Sequence, residues 1–137
     1  MRLQGKVALL TGAAAALKGE LMGFGGAAAH LFVREGAKVV LTDIRDDRDE
    51  RAAASLRAEG HDARYLHLDM TSEQNWAQVV DAAMAAHGPL DILINNAGMS
   101  FPAKVEDITV DICDPRARRP CHETFVDRCT SRLRYHA

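Results

Sequence analysis

From about residue 5 to residue 98 the chain alternates short β-branched runs with longer, alanine-rich amphipathic stretches, separated by Gly, Asp and Pro. This alternation restricts the fold more than any other feature. Strands apolar on both faces and helices apolar on one stripe are buried together when parallel strands are joined by helices lying on the sheet, an α/β arrangement. Lys6 to Thr11 (KVALLT) is nearly all apolar and is expected as a central strand. Gly26 to Glu35 reads as a helix stopped by Gly36. Lys38 to Asp43 (KVVLTD) is a second strand; Asp46, Asp47, Asp49 and Glu50 then favour a helix start, in a helix running through Arg51 to Glu59 and ending at Gly60. Ala63 to Asp69 supplies a third strand. Thr71-Ser72-Glu73-Gln74 fits a capping box with Thr71 capping and Gln74 reaching back, and Trp76, Val79, Val80, Ala83 and Met84 recur at core-facing helical spacing. Gly88-Pro89 ends that helix, and Leu90 to Asn95 (LDILIN) forms a fourth strand that runs into Asn95-Asn96-Ala97-Gly98.

Composition bounds what such a domain can do. At 137 residues, 47% hydrophobic and 26% charged, the chain has the makeup of one globular domain. A net charge of -2 gives no general field for nucleic acid or an anionic membrane, so neither is an expected partner and any anion site is local. No apolar run approaches spanning length and the N-terminus carries no apolar leader, which sets a cytoplasmic expectation. Cys113, Cys121 and Cys129 are odd in number and read as reduced thiols; their spacing does not match a compact zinc knuckle, and no metal site is assigned. Residues 113–137 differ from the rest: they hold six of the thirteen arginines and all three cysteines, with no lysine and no glycine. This stretch reads as a solvated tail.

Several residues are placed for dinucleotide chemistry. The first strand ends in Thr11-Gly12, and Gly23-Phe24-Gly25-Gly26 opens the next helix. Glycine there lets a pyrophosphate approach the backbone while the helix N-terminus offers unpaired N–H groups; a flexible turn is the plainer alternative. Asp43 closes the second strand, 18 residues after Gly25, where a carboxylate can accept from the adenosine ribose hydroxyls and repel a 2′-phosphate. That favours NAD over NADP, with Arg45 softening the preference; the alternative is that Asp43 only caps a turn.

Gly-Lys-Val-Ala-Leu-Leu-Thr-Gly, Gly-Phe-Gly, Ala-Lys-Val-Val-Leu-Thr-Asp, Leu-Asp-Met and Asp-Ile-Leu-Ile-Asn-Asn-Ala-Gly occur in that order. Over about residues 3 to 112 this resembles the short-chain dehydrogenase/reductase family. The resemblance implies an incomplete Rossmann-like, doubly wound parallel sheet of about four strands in the order 3-2-1-4. It implies an NAD-dependent oxidoreductase that moves hydride between the nicotinamide and an alcohol or carbonyl. Gly12, Gly23 and Gly25, with Phe24 between the last two, correspond to the phosphate loop, and Asp43 to the ribose-binding acid. Asp69 and Met70 border the adenine, and Asn95, Asn96, Ala97 and Gly98 line the cofactor crevice. Each also has an ordinary structural alternative: Asp69 ending a strand, Met70 in the core, the asparagines satisfying buried backbone groups.

The chain departs from the family in two places. Ten residues, Ala13 to Met22, separate Gly12 from Gly23 where the family has three, so the phosphate loop is enlarged; a register Gly19-x-x-x-Gly23-x-Gly25 restores the spacing but leaves the strand end. The family's catalytic Tyr-x-x-x-Lys is missing: Tyr65 has Asp69 four residues on, Tyr135 stands two residues from the end, and every lysine lies at or before Lys104. No catalytic residue is assigned, and Ser100 and Ser131 receive no role. Codons permitted for Arg116 to Thr124, read one nucleotide out of register, can spell Val-Leu-Asp-Val-His-Val-Met-Lys, similar to the family's next helix. The expectation is a family domain over 1–112 and a frameshifted 113–137 ending in an early stop, leaving the chain catalytically incomplete. The alternative function is a noncatalytic NAD-binding or interaction module, self-associating through an open sheet edge.

Overall fold

A computed structural model of the protein describes residues 1–13 and 23–98. Its elements run β1 (Val7–Thr11), α1 (Phe24–Arg34), β2 (Lys38–Asp43), α2 (Asp46–Ala58), β3 (Ala63–His67), α3 (Glu73–His87) and β4 (Ile92–Ile94). The strands form one parallel sheet in the order β3-β2-β1-β4, as expected. The cysteines, Ser100, Lys104, the enlarged loop beyond Ala13 and the tail 113–137 lie outside the described residues.

Strand alternation divides the core into two layers. Ala8, Leu10, Val39 and Leu41 point to one face, where Ala29 and Val33 of α1 and Ala52, Ala53 and Leu56 of α2 cover them. Val7, Leu9 and Val40 point to the other, where α3 brings Trp76, Val79, Val80 and Ala83. The period of two in a strand makes this division automatic once helices lie on both sides. β1 is buried along its whole length, the environment its apolar run demands.

Gly36, Gly60 and Gly88 follow the three helices with φ of +90°, +87° and +92°, the left-handed conformation in which a side chain is strained. The start of α3 differs from the expected capping box. Ser72, not Thr71, is the N-cap and accepts from the Asn75 amide at 3.2 Å. Thr71 is already committed, since its hydroxyl donates to Asp69 Oδ1 at 2.7 Å. Asn75, not Gln74, reaches back, its Oδ1 accepting from the Asp69 amide at 2.7 Å. β4 is also shorter than the run LDILIN. Its entry is pinned by Asp91, which accepts from the Val7 amide and from Lys6 Nζ, each at 2.9 Å.

Candidate functional site

The C-terminal ends of β1 and β4 are held together by Thr11 and Asn96. The fully buried Thr11 hydroxyl accepts from the amides of Asn96 and Ala97, each at 3.0 Å, and donates to the Ile94 carbonyl at 3.3 Å. Asn96 returns the contact: its side-chain amide donates to the carbonyls of Thr11 and Gly12 at 3.1 and 3.0 Å. The strand after β1 in the sheet, β4, is thus locked to the turn that leaves β1. This is the switch point of the sheet, where the strand order reverses between β1 and β4, with α1 covering one face and α3 the other.

Glycine at this junction is demanded by the protein's own packing. Gly12 has φ +67°, and a Cβ on it would stand 2.6 Å from Ala97 Cα. A Cβ on Gly25 would stand 2.6 Å from Asn96 Nδ2 and 2.7 Å from the Gly12 carbonyl. Gly98 is exposed, with open space where its Cβ would be. The Gly12 and Ala13 amides both donate to the Thr42 carbonyl, at 2.8 and 3.3 Å, so these two N–H groups serve the sheet. An anion here would turn instead to the start of α1. Gly23 caps that helix with no side-chain bond, its first turn holds no acid, and the amides of Phe24, Gly25 and Gly26 precede any possible helix acceptor. Phe24 is 90% exposed beside them.

Asp43 ends β2 on the same side of the sheet, its side chain 12% exposed. Oδ1 accepts from the Ile44 and Arg45 amides at 2.8 and 3.3 Å, with Arg45 Nε 3.8 Å away. The residue therefore caps its turn with one oxygen, which leaves Oδ2 out of the turn. Beyond β3, Asp69 Oδ1 accepts from the amide and hydroxyl of Thr71, so its carboxylate shapes the turn into α3. Met70 packs against the Trp76 layer, and its carbonyl accepts from Trp76 Nε1 at 3.3 Å. Asn95 is exposed at the end of β4. The predicted residues Gly12, Gly23, Phe24, Gly25, Asp43, Asp69, Met70 and Asn95 to Gly98 thus all lie at the last residue of a strand, in the turns that follow the C-terminal ends of the strands, or at the start of α1. A cavity of about 260 Å³ lies elsewhere, lined by Gln4, Lys6, His87, Pro89 and Asp91 at the opposite ends of β1 and β4.

The model of the short chain dehydrogenase family matches residues 6–115. The chain belongs to that family. It is 39% identical over 110 residues to a 2,5-dichloro-2,5-cyclohexadiene-1,4-diol dehydrogenase of Sphingobium indicum, covering 80% of this chain and 41% of that protein. It is 40% identical over 106 residues to a cyclopentanol dehydrogenase of Comamonas testosteroni, covering 77% and 40%. It is 42% identical over 106 residues to a 3-alpha-(or 20-beta)-hydroxysteroid dehydrogenase of Mycobacterium tuberculosis, covering 77% and 37%. The chain therefore spans about two-fifths of the length of the curated relatives it matches.

Membership of the short chain dehydrogenase family implies a nicotinamide dinucleotide, and the described residues fit one. A helix start without acid or side-chain cap suits the pyrophosphate, and a carboxylate at the end of the adjacent strand suits a ribose diol. Sequence reading missed Thr11. Its signal was a hydroxyl inside an otherwise apolar strand, since a buried hydroxyl requires partners.

Proposed function

We propose that this chain is the NAD-holding part of an oxidoreductase that moves hydride between the nicotinamide and an alcohol or carbonyl, and that these 137 residues bind NAD without turning over substrate. The observation that carries the reading is Asp43: its Oδ1 is fixed by the turn while Oδ2 is left for the ribose hydroxyls, where a 2′-phosphate would meet a negative charge. Gly23, Phe24, Gly25 and Gly26 would receive the pyrophosphate through their amides. Met70 and the turn held by Asp69 would border the adenine, and Asn95 to Gly98 would line the crevice toward the nicotinamide. Thr11, Gly12 and Asn96 hold these parts in place.

Bound NAD would supply the hydride acceptor. The proton on the substrate oxygen would still need a base, and the sequence offers no tyrosine with a lysine four residues on. Domain limits of 1–112 and 113–137, and a cytoplasmic setting with reduced thiols, complete the proposal. Calorimetry with NAD, run beside an NADH-absorbance assay over a panel of secondary alcohols, tests it. Saturable NAD binding with no turnover is expected. Turnover above background overturns the second half of the reading, and absence of NAD binding overturns the first.

The alternative is a noncatalytic interaction module. It draws on the edge position of β4, whose outer side is unpaired among the described residues. We propose that this edge takes a second copy of the chain.

A further inference from the structure

Between the ends of β2 and β3, outside the glycine turn, two side chains converge on one carboxylate oxygen. Asp46 Oδ1 accepts from the Tyr65 hydroxyl at 2.5 Å and lies 2.7 Å from His67 Nδ1. The same Tyr65 hydroxyl is 3.0 Å from the main-chain carbonyl of Asp43, which also accepts from the Leu68 amide at 2.9 Å. In the parallel register Leu41 pairs with Tyr65 and Asp43 with His67, so both contacts come from the stretch of β3 beside Asp43.

Asp46 is the first residue of α2, and that helix has no side-chain cap at Arg45. Its start is anchored instead by this link to β3. Only Ile44 and Arg45 separate Asp46 from Asp43, and their amides are the groups that grip Asp43 Oδ1. Holding Asp46 therefore holds the turn that aims Asp43. Charge points the same way. Arg45 approaches Asp43 only to 3.8 Å and is itself mostly exposed, so Asp43 keeps its charge and Asp46 adds a second carboxylate to the same turn. The Tyr65 hydrogen bond, and next the His67 contact, keep the Asp46 carboxyl below the usual carboxylate range, so it is ionised at neutral pH.

We propose that Asp46, clamped by Tyr65 and His67, is a second specificity-determining residue for the adenosine end of the dinucleotide: it fixes the turn that presents Asp43 and adds the negative charge that disfavours a 2′-phosphate. This rests on the NAD reading above. NAD and NADP differ only in that phosphate, so a general loss of stability weakens both alike and leaves their affinity ratio unchanged.

The test is calorimetric titration of the intact chain with NAD and with NADP at pH 8 and low salt, for the unaltered protein and for Asp46→Asn, Tyr65→Phe and Asp43→Asn, each checked for fold by circular dichroism. Asp46→Asn and Tyr65→Phe are each expected to lower the NADP-to-NAD ratio of dissociation constants about threefold or more. Asp43→Asn is expected to lower it further. If Tyr65→Phe does not fold, Asp46→Asn, nearly isosteric and exposed, decides. An unchanged ratio in Asp46→Asn, with a shifted one in Asp43→Asn, overturns this inference and leaves the NAD reading standing. If the unaltered chain binds neither dinucleotide, the NAD reading falls and this inference falls with it.

Discussion

Gly12 carries two constraints at once, and both come from inside the protein. Its φ of +67° strains any side chain, and the Ala97 backbone occupies the place of a Cβ. Gly12→Ala is expected to cost about 2–4 kcal/mol in urea unfolding, from left-handed strain and overlap together. Gly98→Ala, with open space around the site and no positive φ, is expected to stay within about 0.5 kcal/mol. Equal losses at the two positions would contradict the packing account. The sequence marked both residues alike, as glycines near a cofactor. What separates them is a contact across 85 residues of chain, between the end of β1 and the turn after β4, which no local pattern encodes. Thr11 and Asn96 belong to the same contact: their spacing in sequence is large, and only the β1–β4 pairing makes them partners.

α3 shows how much of an element is local. Its apolar stripe and its end at Gly88 follow from residue order, and they hold in the structure. Its first turn was displaced by one residue because Asp69 takes the Thr71 hydroxyl and leaves Ser72 to cap. At the other end His87 is 7% exposed, with Nδ1 3.6 Å from Asp62 and Nε2 buried without a hydrogen bond among the described residues. Burial pushes its pKa below the usual 6.5; Asp62 pulls upward, while Arg64 and Lys38 push further down. A histidine depressed in the folded state binds fewer protons than the unfolded chain does as pH falls through 6.5. Its contribution is therefore complete above that value and is lost on acidification. The apparent stability from urea titrations is expected to drop between pH 7 and pH 5, and His87→Gln is expected to flatten that slope. An equal slope in the variant would remove His87 as its source.

For the molecule as a whole, the sheet's two faces are unequally finished at their edges. Among the described residues β1 and β2 are interior strands, while β4 contributes only Ile92–Ile94, each half-buried, at one margin. Unpaired strand edges attract other strands, and a short edge limits how many backbone bonds a partner can make. Self-association through β4 is therefore expected to be weak and reversible, with the mean mass from light scattering rising with protein concentration. Replacing Leu93 by Lys is expected to suppress the rise. A constant monomer mass over the accessible concentrations would count against an associating edge.

The alternation of strand and helix runs, with Gly36, Gly60 and Gly88 as stops, was enough by itself to determine the elements and their parallel class. Those features depend on period and on backbone freedom, which are properties of neighbouring residues. Asp43 at the end of the second strand was legible from the strand run and its spacing after Gly25, the strand order through a resemblance to the family, and the sheet has that order. Only the tertiary structure decided that Gly12 and Gly25 make room for Ala97 and Asn96, that Asp69 shapes a turn, and that Asp46 is tied to Tyr65 and His67. These depend on which distant backbones and side chains meet at the strand ends, and that is settled when the sheet closes its layers rather than by any stretch of sequence alone.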